Sequence, residues 1–146
     1  MKSALPGRLL GAVVLFCSLA AGHEIPIETP VQYRLENGQV LERPIALVFD
    51  DFHFQIRDRQ SREVVLTIRY AEISRMKYEK AGRPEVLEGH PLPASAAWQH
   101  WLTVYYPQQA ASAYLLLALD EYDHDTIVSL MQMLSEKAVE GAPGTE

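Results

Sequence analysis

Val31, Tyr33 and Leu35 alternate with polar residues, the period of two that marks a strand with one buried face. Asn37-Gly38 follows, a pair suited to a two-residue hairpin turn because both positions tolerate positive φ. Gln39 to Glu42 reads as the return arm, interrupted by Pro44, and Ile45 to Asp50 as an apolar strand ending in an Asp50-Asp51 turn. Phe52, Phe54 and Ile56 then alternate with His53, Gln55 and Arg57. Past a polar tip at Asp58 to Arg62, Val64, Leu66 and Ile68 repeat the pattern. Tyr70, Ile73, Met76 and Tyr78 read as another strand, with a helical turn over Ala71 to Lys77 as the alternative. Short strands joined by tight turns predict an antiparallel sheet.

Ala81 to Ala97 has no period and holds Pro84, Pro91, Pro93, Gly82 and Gly89. It reads as a long loop, a feature that in compact domains is often functional or mobile. Two strands return after it, Trp98 to Tyr106 and Ser112 to Leu119, about a turn at Pro107-Gln108-Gln109. Ile127, Leu130, Met131 and Leu134 then form the single apolar stripe of a helix. Asp123 or Asp125 suits its N-cap, and Gly141 and Pro143 its end, with frayed residues beyond.

The N-terminus has a different character. Lys2 and Arg8 precede an uncharged apolar run, Leu9 to Leu19, and small residues follow at Ser18, Ala20, Ala21 and Gly22. This is the pattern of a secretory signal, cut after Ala20 or Gly22. The run is shorter than the roughly 20 residues that span a bilayer as a helix. A lipid anchor on Cys17 is the alternative, and Phe16 is bulky for the position before such a cysteine. The expected division is a signal over 1–22, an extended lead-in over 23–30, a β-rich domain over 31–138 and a flexible tail over 139–146. The expected location is the periplasm or the outside of the cell. Cys17 is the one cysteine, so the mature domain holds together without disulfides. Loss of Lys2 and Arg8 takes the formal charge from −6 to −8, which argues against nucleic acid and anionic membranes as partners.

About seven strands followed by one amphipathic helix resembles the pleckstrin-homology-like fold, in its bacterial members. The run Val64 to Met76 resembles a strand entering an aromatic-acidic-isoleucine corner. Trp101 to Tyr106 and Tyr114 to Leu119 resemble the last two strands before the helix. The resemblance covers Val31 to Ala138 and implies a mostly β, α+β fold: a curled antiparallel sheet plugged at one end by the helix. An open sheet with one packed helix is the competing arrangement. Members of that fold bind lipids, peptides or proteins, the lipid binders through cations in the loop between the first two strands. Here that loop is Glu36-Asn37-Gly38-Gln39, without a cation, so phosphoinositide recognition is not implied.

Two groups of residues are candidate binding positions. Arg57, Arg59 and Arg62 surround one hairpin tip, where guanidinium forks suit a carboxylate or phosphate; the plainer reading is a solvated turn balanced by Asp58 and Glu63. Trp98, His100 and Trp101 adjoin the long loop and suit an aromatic binding surface, although one face of that strand must be core. Asp120, Glu121, Asp123 and Asp125 read as capping, since no calcium-loop spacing accompanies them. Cleavage after Ala20 would leave Ala-Gly-His, a terminus able to chelate copper or nickel. No nucleophile elbow, phosphate loop or zinc-binding histidine pair is present, so neither cofactor nor catalysis is expected. The expected function is a binding module for a protein or peptide, acting through a sheet edge or the loop at 81–97. The rival is a carrier or sensor of an apolar molecule, with a cavity in place of packed Phe52, Phe54, Leu66 and Leu117.

Overall fold

The structure, a computed structural model, describes residues 24–96, 99–108 and 111–142. The expected signal, His23 and Trp98 lie outside them. The strands are β1 (Ile25–Ile27), β2 (Val31–Glu36), β3 (Gln39–Phe49), β4 (His53–Asp58), β5 (Val64–Arg69), β6 (Arg75–Ala81), β7 (Gln99–Gln108) and β8 (Ala111–Leu119). One α-helix follows them, α1 (His124–Ser135). Seven strands run antiparallel in the order β5-β4-β3-β2-β8-β7-β6, and β1 pairs with β3. The β2-β3 turn is at Asn37 and Gly38, both at positive φ, as the Asn-Gly pair requires.

β3 bends the sheet. Its first half pairs with β2, ending at Val31 opposite Pro44. Its second half pairs with β4 on one side and β1 on the other. Pro44 therefore does not interrupt the arm, as its missing N–H had suggested; it stands where β3 changes partners, a position that tolerates the lost donor. The lead-in contributes β1 and is folded onto the body. Tyr70 to Glu72 is a 3-10 turn and Arg75 to Ala81 a strand, so each of the two sequence readings held for part of that segment. Pro107 lies on β7 beyond the start of β6, where no neighbouring strand needs its N–H.

The curled sheet encloses one core. Leu47, Phe49, Phe54, Ile56, Ile68, Leu102, Val104, Leu115 and Leu117 meet Ile127, Leu130 and Met131 from α1 inside it. This is the bent antiparallel sheet closed by a C-terminal helix that the resemblance implied. A second apolar cluster lies on the outer face: Tyr33, Leu87, Ala96, Trp101, Leu116 and Ala118. Two 3-10 turns in residues 81–96 set Leu87 and Ala96 onto Trp101 and its neighbours, so this segment is a packed cover. With both faces covered, Leu115 to Leu119 is an unbroken apolar run.

The helix ends at Ser135, with Glu136 in the left-handed region at φ 59°, six residues before Gly141. The chain then returns along β6. Glu140 O accepts the Tyr78 N–H at 2.7 Å, and the Glu140 N–H donates to Met76 O at 2.9 Å. Val139 and Ala142 are buried in the core. Residues 139–142, expected to be a flexible tail, thus belong to the domain. Gly141 has φ 84°, and a Cβ there would overlap Tyr78 O.

Candidate functional site

The three arginines are occupied by the lead-in. Arg57 Nη2 lies 3.2 Å from the Glu24 carboxylate and 2.7 Å from Gln55 Oε1. Arg59 donates from Nη2 to Pro30 O at 2.7 Å and from Nε to Ile45 O at 3.3 Å. Arg62 donates to Glu28 at 2.8 Å, and this bond holds the Glu28 carboxyl below its ordinary value. What looked like an anion grip is a clamp on residues 24–30.

Trp101 is fully buried, edge-to-face with Tyr33 at 5.2 Å, and its Nε1 donates to Ala81 O at 2.9 Å. It is a core residue beneath the cover, which corrects its reading as a binding surface. His100, only 6% exposed, is also inside. Its Nε2 lies 2.7 Å from Glu121 Oε1 and its Nδ1 2.6 Å from the Tyr78 hydroxyl. A carboxylate only accepts, so Nε2 carries a proton and donates it to Glu121. The His124 ring stacks on His100 at 3.7 Å, fixing the first turn of α1 to β7. Glu121 is held below its ordinary pKa chiefly by the His100 hydrogen bond. This stack was not legible in the sequence, because Tyr78, His100, Glu121 and His124 share no spacing.

The acidic run makes a turn. Asp120 Oδ1 accepts the Tyr122 and Asp123 N–H groups, and Asp123 accepts the Thr29 hydroxyl at 2.8 Å. Asp123 is the N-cap residue, without a side-chain capping bond. Asp50 likewise accepts the Phe52 and His53 N–H groups at its own turn. Among the described residues, no three His, Cys, Asp or Glu side chains converge as metal ligands.

The sheet has two outer strands, and they differ. β6 is covered in part by the return through Glu140. β5 pairs with β4 and has no strand on its other side among the described residues. The Tyr70 N–H bonds to Phe52 O, which sets the alternation of the β4-β5 ladder. By that alternation the N–H and C=O of Thr67 point away from β4. Arg69, with the same outward orientation, has its N–H taken by Glu72 at 3.2 Å.

A cleft of about 390 Å³ opens beside this edge, between Val65 and Leu66 of β5, Gln32 to Leu35 of β2, and Tyr106, Ala113 and Tyr114 of β7-β8. Burial raises the phenol pKa of Tyr106 and Tyr114. Gln32 is 9% exposed, and its side chain has no hydrogen-bond partner among the described residues. Arg34 stands at the rim, 3.4 Å from Glu36. The positions named for an interior cavity are distributed otherwise. Phe54 and Leu117 are packed core, Leu66 is half-buried at the cleft, and Phe52 sits 76% exposed in the turn before β4.

No protein-family model and no curated protein matches the sequence. Among solved structures, the fold is similar to human RhoA in complex with the DH/PH fragment of PDZRHOGEF, at TM-score 0.46 and 13% identity, over 90% of this chain and 34% of that one. It is also similar to the hSac2 domain from human phosphoinositide phosphatase Sac2, at TM-score 0.47 and 10% identity, over 92% of this chain and 89% of that one. The chain spans about a third of the first of these. The architecture stands on the strand order and packing described above.

Proposed function

We propose that this chain is an exported, non-catalytic binding module that takes up an extended segment of a protein partner as an added strand on β5, in the periplasm or outside the cell. The observation that carries the reading is the outward-facing backbone of Thr67 beside an open cleft, on a sheet whose other outer strand is covered in part. An unpaired edge is a template for another strand, and main-chain hydrogen bonds then supply affinity while alternate side chains enter pockets. The packed cover at 81–96 favours the edge over the loop as the point of contact.

The test is the variant Thr67→Pro. Its outward N–H bonds to nothing in β4, so proline removes the donor a new strand needs without breaking the existing ladder. Peptides selected from a random library on the wild-type protein should lose binding to T67P, while its melting temperature stays within a few degrees. Peptides that bind both forms equally would move the site elsewhere.

A further inference from the structure

The cleft holds an amide that has no protein partner among the described residues. Gln32 is nine-tenths buried, lines the cleft and is without a side-chain hydrogen bond among the described residues. Tyr106 and Tyr114 line the same space, and neither hydroxyl has a hydrogen bond among the described residues. The remaining wall is largely apolar, from Leu35, Val65 and Leu66. Arg34 is the one charged residue at its border and stands beside Glu36.

These groups select by chemistry. A primary amide presents a donor and an acceptor side by side, and a second carboxamide satisfies both in one plane. A carboxylate only accepts, so it could take the Gln32 NH₂ but would leave the Gln32 carbonyl unpaired, with only the half-exposed Arg34 to balance its charge. An ammonium only donates, and no anion lines the cleft among the described residues. An aliphatic side chain would seal the Gln32 amide away from water unpaired, which sites built around a hydrogen bond reject strongly.

We propose that the cleft receives the carboxamide side chain of a glutamine or asparagine from the segment paired along β5; this rests on the strand-addition reading above. Gln32 reads the carboxamide, the two phenols bind its remaining lone pair or N–H, and Val65 and Leu66 hold the stem.

The experiment uses ¹⁵N-labelled protein and blocked peptides acetyl-Thr-Val-Xaa-Val-Lys-amide, with Xaa glutamine, asparagine, glutamate or leucine. Two signals are followed: the Gln32 side-chain NH₂ and the Thr67 backbone N–H. The glutamine or asparagine peptide should bind about tenfold or more tightly than the glutamate and leucine peptides, moving both signals. Gln32→Leu, which breaks no side-chain hydrogen bond among the described residues, should abolish that preference while the Thr67 signal still responds. Equal affinities with a responding Thr67 would overturn the carboxamide site and leave strand addition standing. A response at Gln32 that survives in Thr67→Pro would overturn strand addition and leave a free-standing carboxamide site. Silence at both positions would overturn both.

Discussion

Gly141→Ala tests whether the C-terminal return is part of the fold. Gly141 has φ 84°, and the new Cβ would overlap Tyr78 O. The variant has two ways out. It can keep the geometry, at about 1–2 kcal/mol for an L-residue in the left-handed region, plus the overlap. Or the segment can swing away from β6. That loses the two hydrogen bonds of Glu140, at about 1 kcal/mol each, and exposes Val139, at about 2 kcal/mol. Detachment sets the ceiling near ~4 kcal/mol and the left-handed cost sets the floor. The expected loss is therefore about 2–4 kcal/mol. Gly38→Ala is the control: its φ is 79°, with nothing within 4 Å of a Cβ, so it should cost only about 1 kcal/mol. Urea denaturation gives both values. Amide exchange at Tyr78, whose N–H bonds to Glu140 O, reports the detachment itself. If G141A costs no more than G38A, and Tyr78 exchanges as in the wild type, the return does not pack on β6.

Leu87→Ala should cost about 2–5 kcal/mol, because the side chain is fully buried over Trp101. In a Trp98→Phe background the remaining tryptophan emission should shift to the red; an unchanged spectrum and midpoint would refute the cover. Arg59→Ala should cost more than Arg57→Ala or Arg62→Ala, at about 1.5–3 kcal/mol, since its charged bonds go to the Pro30 and Ile45 carbonyls while its neighbours hold solvent-exposed carboxylates. Equal urea midpoints for the three variants would contradict the clamp. Glu28, Glu85, Glu121 and Glu140 are all held below the ordinary value of 4.5 by basic partners. Their contribution is complete above pH 4.5 and is lost as pH falls through the lower, folded values. Thermal midpoints should thus drop on acidification below pH 4.5, with a shallower drop in Glu121→Gln; parallel curves would remove His100 as its partner. Tyr33 is pushed up to about 12 by burial, so stability should also fall as pH rises above 10, and less so in Tyr33→Phe.

The strands were legible where a simple alternation met a turn pair, as at Leu35-Glu36-Asn37-Gly38 and from Phe54 to Ile68. The helix stripe was legible for the same reason. Faces were harder. Val31, Tyr33 and Leu35 read as the core-facing set of β2, yet they lie under the outer cover, and the polar alternate Gln32 turns to the mouth of the curled sheet. Period two says that faces differ; it does not say which one meets the main core when both are covered. β1 spans three residues, too few to show a period, and Pro26 sits at its centre. The return at 139–142 and the cover at 81–96 owe their burial to distant strands, which no local pattern records. The arginine tip had the right residue types for an anion, but its anions, Glu24 and Glu28, were close at hand in the lead-in.

If the chain is exported as proposed, the clamp on residues 24–30 bears on when the leader is removed. If the leader is removed after Ala20 or Gly22, β1 begins only a few residues beyond the cut. A signal peptidase binds its substrate as extended chain held at the membrane, so β1 cannot lie along β3 while the enzyme is engaged. In that case release and docking would follow one another: proteolysis would free the segment, and Arg57, Arg59 and Arg62 would close on it. Maturation would in this way add stability to the domain as well as liberate it. A precursor with a blocked cleavage site should accordingly unfold at lower urea than the mature chain, and equal midpoints would uncouple the two events.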